Sequence, residues 1–172
     1  KDEEAAQRVY SSIGAPVGQA VADETVQVYD GTYDEVVTVG KPLTLQDAST
    51  PTVNAFDVVA DNVTIDGFKI TGGTVGGETA GIVVQSSTSG HTFSDNNLMG
   101  DSGEGVSIKS GVEDTQVKKN NISGWDSGII AGGQSGSVDV DENCITGNEV
   151  GISNGSFFDI DASGNLWSAP DG

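Results

Sequence analysis

Three consecutive stretches of the chain align with one another without a gap: GIVVQSSTSGHTFSDNNLMG (81–100), GVSIKSGVEDTQVKKNNISG (105–124) and GIIAGGQSGSVDVDENCITG (128–147). Their opening glycines, Gly81, Gly105 and Gly128, stand 24 and 23 residues apart. An apolar residue follows each glycine after 12 positions, at Phe93, Val117 and Val140, and another after 17, at Leu98, Ile122 and Ile145. A closing glycine follows after 19, at Gly100, Gly124 and Gly147. A shortened copy, GISNGSFFDIDASGNLW (151–167), continues the series, and AFDVVADNVTIDGFKITGG (55–73) precedes it, set off by the insert TVGGE (74–78). Equal internal offsets over this many copies mean that each copy is one structural unit stacked on its neighbours.

Each copy holds apolar stretches of three to five residues that alternate in and out, broken by Gly, Asn, Ser and Asp. No 3.6-residue period is present, so helices are excluded as the repeating unit. Short strands and turns at this period fit one coil of a parallel β-helix, with successive coils about 4.8 Å apart. Equivalent residues then stack into ladders. Ile82, Val106, Ile129 and Ile152 form one interior ladder, and Phe93, Val117, Val140 and Ile160 another. Asn96, Asn120 and Asn143 share one position before an apolar ladder residue, where stacked amides can hydrogen-bond along the axis. Asn also tolerates the left-handed backbone that a tight corner needs.

The 172 residues suit one domain. Against 26 acidic residues stand 7 basic ones, a net charge of −19. Such a surface repels phosphate backbones and anionic headgroups, so nucleic acid and membrane are not expected partners. The acids are dispersed rather than gathered in a tail, the pattern of a surface solvated in concentrated salt, and a halophilic source is expected. A lone cysteine, Cys144, excludes an internal disulfide and any multi-cysteine zinc site. The chain starts at Lys1 and not Met, which suits a mature product or an excised part of a longer one.

The stretch VQVYDGTYDEVVTVGKPLTL (26–45) followed by DNVTIDGFKITGG (61–73) resembles the start of right-handed parallel β-helix repeat proteins. That group includes periplasmic copper-binding-type proteins, pectin-lyase-like enzymes and archaeal surface proteins. The resemblance covers residues 16–172 and implies an all-β solenoid of about six coils. It also implies a short helix over the open first coil, a place that PVGQAVA (Pro16 to Ala22) fits. Residues 1–22 are thus read as an N-terminal segment with this cap, and 23–172 as the solenoid. The terminal NLWSAPDG (165–172) is similar to the closing Asn-Trp-Trp-Gly segment of the group, with Leu166 for the first Trp and Ser168 for the Gly. A closing segment of this kind shields strand edges.

The fold hosts many activities, so function has to come from side chains. Lyases and hydrolases acting on polysaccharides are one option, but the hydrolase motifs of this group (Asn-Thr-Asp, Asp-Asp, Gly-His-Gly, Arg-Ile-Lys) are not present. Copper would have only His91, Met99 and Cys144 as soft ligands, and Cys144 is expected to face inward as a small buried residue. His91 aligns with Val63, Thr115 and Val138, which favours a structural role. Outward acids make a candidate cation site: stacking Val140 on Ile160 would set Asp139 over Asp159 and Asp141 over Asp161, each pair about 5 Å apart, as a weak calcium site. Trp125, at a corner after Gly124, is a candidate platform for a sugar ring. Val83, Ser107 and Ile130 would form an outward contact stripe. Of the sequons at Asn62, Asn121 and Asn154, Asn121 is expected to be inaccessible inside the repeat.

These readings favour a non-catalytic extracellular module on a cell or virion surface of a halophile. It would present a rigid face to a glycan or surface protein, without membrane insertion, either as a homo-oligomer or as part of a larger assembly. A polysaccharide lyase or hydrolase, or a fragment of one, is the first alternative. A purely structural spacer is the second.

Overall fold

The computed structural model describes residues 10–133 and 136–168. It is a right-handed solenoid of about six coils built on parallel strands, with one short helix at its start. Three strand stacks enclose the core. The first contains Glu24–Val28, Leu43–Asp47, Thr64–Asp66, Ser89–Ser94, Glu113–Lys118 and Val138–Asp141. The second contains Thr32–Val39, Thr52–Val58, Glu78–Val84, Glu104–Ile108, Ser127–Ala131 and Val150–Asn154. The third is narrow: Lys69–Ile70, Asn97–Met99, Asn121–Ser123, Cys144–Thr146 and Leu166–Trp167. Thr52–Val58 is long enough to pair in both the second and third stacks, and so joins them into one sheet.

The register matches the offsets read from the repeat. Phe56, Ile82, Val106, Ile129 and Ile152 follow one another as Cα partners, as do Ile70, Leu98, Ile122, Ile145 and Trp167. Ile65, Phe93, Val117 and Val140 form the third ladder. Residues of these ladders in the inner coils are buried to 2% exposure or less. A single coil leaves its apolar face in water, whereas the stack buries it on both sides.

The opening glycines lie inside strands of the second stack, where neighbouring coils approach too closely for a side chain. A Cβ at Gly81, Gly105 or Gly128 would lie 2.8, 2.4 or 2.7 Å from the carbonyl oxygen of the next glycine in the series. The corner between the first and third stacks is turned by Asp95, Lys119 and Glu142 in the left-handed region, with Gly164 in the same place on the last coil. Each precedes a ladder asparagine, so the left-handed residue is the neighbour of the asparagine and not the asparagine itself. The asparagine stitches the coils together. Oδ1 of Asn120 accepts from N and Nδ2 of Asn96, and Oδ1 of Asn143 accepts likewise from Asn120. The series extends to Asn165, whose Oδ1 accepts from N and Nδ2 of Asn143. Phe68 takes the place at the other end, donating its N–H to Asn96 Oδ1 while its ring meets Phe56 edge-on at 5.1 Å.

The helix covers the first coil. It spans Gly14–Gln19, slightly earlier than Pro16 to Ala22, and buries Val17 together with Ile13 and Ala20 that flank it. The Glu35 carboxylate accepts the N–H groups of Ile13 (2.6 Å) and Gly14 (3.2 Å). Lys41 Nζ donates to the carbonyls of Gly18 (2.8 Å) and Ala20 (2.6 Å), closing the other end. Residues 1–9 of the proposed N-terminal segment lie outside the described residues.

Candidate functional site

The acidic columns differ from the expected ones. Asp139 bridges Asp161, and Val140 N donates to Asp161 O (2.8 Å), so Ala162 and not Ile160 continues the Val140 ladder. The amide of Asn165 accounts for the shift: it must sit beneath Asn143, and counting back from it places Ala162 below Val140. Asp159 thereby leaves the column, and the pairing of Asp139 with Asp159 and of Asp141 with Asp161 is corrected. The carboxylates are engaged locally. Asp161 is held below its ordinary pKa by the backbone N–H and then the hydroxyl of Ser163, and Asp141 accepts from Glu142 N (2.8 Å). Among the described residues no group of three or more His, Cys, Asp or Glu side chains is placed to hold a metal ion. That covers the calcium set and the copper set alike, since His91 points into the core while Met99 is exposed on another stack. Cys144 is half-buried rather than interior, in register with the exposed Asn121, which also corrects the expected inaccessibility of that sequon.

Trp125 is not a sugar platform. It is 2% exposed, its Nε1 donates to Leu98 O (3.2 Å), and its ring lies against Gly100 and Gly72. A Cβ at Gly100 would stand 2.5 Å from that ring, so the closing glycine of one coil makes room for the tryptophan of the next. The expected contact stripe is also covered. The insert at 74–78 folds as a hairpin in which Gly73–Val75 pairs antiparallel with the start of Glu78–Val84. Val75 then closes a second apolar cluster with Ala55, Ala80 and Val83. Val83 and Ser107 are buried, and Ile130 is half-buried. Lys109 of a neighbouring coil forms an ion pair with Glu78 of the hairpin. Glu104 nearby is raised above its ordinary pKa, chiefly by burial and further by Glu78 and Asp126, against Lys109.

The open polar feature lies at the corner between the second and first stacks. Asp61, Ser87, Thr88, Ser89, Gly111 and Glu113, from three successive coils, line a depression of about 420 Å³. Its wall is ordered: Asp61 Oδ1 accepts Ser89 N (2.9 Å), and Thr88 Oγ1 donates to Gln85 O (2.7 Å). His91 lies beneath, 1% exposed, with Nε2 3.0 Å from Thr88 Oγ1. The Thr88 proton is committed to Gln85, so His91 donates from Nε2 and carries its lone pair on Nδ1. That atom and Thr115 Oγ1, at the paired position of the next coil, are buried without a partner among the described residues. With its proton on Nε2 and the Thr88 proton given to Gln85, His91 is not set to take a proton from Thr88. The run QSSTSG (85–90), polar at a corner, was the sequence signal for this feature.

Burial holds the His91 imidazole below its ordinary pKa, with the Asp61 carboxylate opposing. The folded state therefore prefers the neutral ring. The stability this contributes is fully present above the unfolded value of about 6.5 and is lost as pH falls through the lower folded value. Val occupies the aligned positions Val63 and Val138, so His91→Val is the ladder-compatible change. We expect the melting temperature of His91→Val relative to wild type to rise by a few degrees between pH 7 and pH 5. A difference that stays constant across that window would refute the assignment.

A family model described as right-handed beta helix region matches residues 54–166, well over half of the chain. No curated protein and no solved structure gave a match. The matched span begins within the second stack, carries the whole asparagine series from Asn96 to Asn165 and ends in the last strand. In sequence and in coil geometry, the chain belongs to the right-handed β-helix family.

Proposed function

We propose that this chain is a non-catalytic recognition module that acts at a cell or virion surface in concentrated salt and binds a neutral glycan at the corner depression. The observation that carries the reading is the lining itself: hydroxyls of Ser87 and Ser89 beside the carboxylates of Asp61 and Glu113, on a wall that the Thr88 hydrogen bonds hold in place. Carboxylates accept from sugar hydroxyls, and side-chain hydroxyls both donate and accept. A net charge of −19 disfavours acidic glycans, which leaves neutral ones. The same charge supports the high-salt setting, where screening relieves self-repulsion.

The test is a neutral-glycan array followed by calorimetry in molar salt. A ligand with an affinity in the micromolar-to-millimolar range is expected. Ser87→Tyr, which fills the depression from an exposed position, should weaken it by at least about tenfold. An array with no ligand, or affinity unchanged in Ser87→Tyr, would overturn the proposal.

A further inference from the structure

Among the described residues, the first and last coils of the solenoid are covered differently. At the first coil, the helix with Ile13, Val17 and Ala20 covers the core. On the last coil, Val150, Phe157, Phe158, Leu166 and Trp167 are each exposed, by 43%, 101%, 48%, 64% and 43%. Exposed apolar residues elsewhere, such as Val21, Val59 and Met99, are scattered along the stack. Among the described residues, the strand Val150–Asn154 pairs with Ser127–Ala131 on one side only, and Leu166–Trp167 only with Cys144–Thr146. The ladders run on to this end without closing: Ile152 and Asn165 are half-exposed, whereas their counterparts one coil inward, Ile129 and Asn143, are buried.

An open edge with aromatic side chains beside it is a template for strand pairing. Taking 150–250 Å² for a whole aromatic side chain, the exposed fractions leave roughly 500 Å² of apolar surface on this end, or roughly 1,000 Å² when two such ends meet. That reaches the size a specific interface needs, about 1,000 Å² in total. A two-fold axis makes the meeting self-complementary and sets like edges antiparallel, an arrangement ordinary ladders accept.

We propose that a second copy of this chain covers the last coil, with Val150–Asn154 of the two copies pairing antiparallel about a two-fold axis. The aromatic and leucine side chains of the two ends would close over each other and complete the ladders that end at Ile152 and Trp167. Glu149, Asp159 and Asp161 lie exposed around this end, so like charges oppose the contact and salt strengthens it.

Sedimentation equilibrium of the full chain, over a hundredfold range of concentration in 0.1 M and 2 M NaCl, tests this. Expected are a monomer–dimer equilibrium tightening at least tenfold in high salt, and a loss of at least tenfold in affinity in Phe157→Glu. Leu166→Glu, on a different strand of the same end, should do the same. Both changed side chains are exposed, and unchanged circular dichroism would show that the monomer still folds. A monomer at every concentration and salt overturns the proposal. So does a dimer that both variants leave intact, or assembly that proceeds past the dimer.

Discussion

Val117→Asp should leave the chain unfolded under conditions where wild type is fully native. Val117 is fully buried in the interior ladder between Phe93 and Val140, its Cα partners on either side. An aspartate there meets only apolar neighbours along the ladder. Burying an unpaired carboxylate costs several kcal/mol even after the group shifts its pKa to stay neutral, and the lost valine contacts add to it. Against a total stability of about 5–15 kcal/mol for a domain of this kind, that is most or all of the margin. The damage also spreads, because each coil is stable only on its neighbours. Gln116→Lys, one residue away, exposed and in register with Asp139, should change stability by no more than about 0.5 kcal/mol. Circular dichroism and urea unfolding of both variants make the comparison. A native melt for Val117→Asp would mean that the inside and outside of the strand are exchanged.

Asn120→Leu is expected to cost about 4 kcal/mol without changing the fold, through hydrogen bonds and not volume. The Asn120 amide donates to Phe93 O (2.9 Å), Lys118 O (3.0 Å) and Asn143 Oδ1 (3.0 Å). Its oxygen accepts from N (2.9 Å) and Nδ2 (3.1 Å) of Asn96. Leucine fills similar space but leaves the Asn96 N–H and the Phe93 carbonyl buried with those partners gone, at about 1–3 kcal/mol each. At the half-exposed end of the series, Asn165→Leu lets water replace part of what is lost and should cost about half as much. Urea midpoints of the two variants measure the gradient. Costs under about 1 kcal/mol at both positions would show that coil stacking does not depend on the amide series.

The interior was legible from the chain because stacking makes it periodic. Offsets of 12 and 17 residues from the opening glycines predicted Cα partners across the third ladder and the narrow stack, and the structure pairs those residues. The asparagine series was visible for the same reason, although its left-handed partner, one residue earlier, was not: Asp95, Lys119 and Glu142 share no residue type that would announce a corner. In the last coil the middle is shortened, so the offset of 12 no longer applies, and the apolar Ile160 reads as the ladder residue. The hydrogen bonds of Asn143 to Asn165 are what choose Ala162.

What the sequence determined by itself, then, is the unit, its period and the residues that face the axis, since all of these are set by contacts repeated at one spacing. The outer surface was decided only by tertiary structure. Val83 alternates outward exactly as a contact residue would, yet a hairpin from a non-repeating insert lies over it. Trp125 sits at a corner and is buried because Gly72 and Gly100, on two other coils, leave the space for its ring. The corner depression exists because turns distant in sequence, at Asp61, Ser87 and Gly111, are stacked side by side. Inward-facing residues meet copies of themselves, so the period encodes their surroundings. Outward-facing residues meet whatever the irregular turns and inserts place over them, and no period in the chain encodes that.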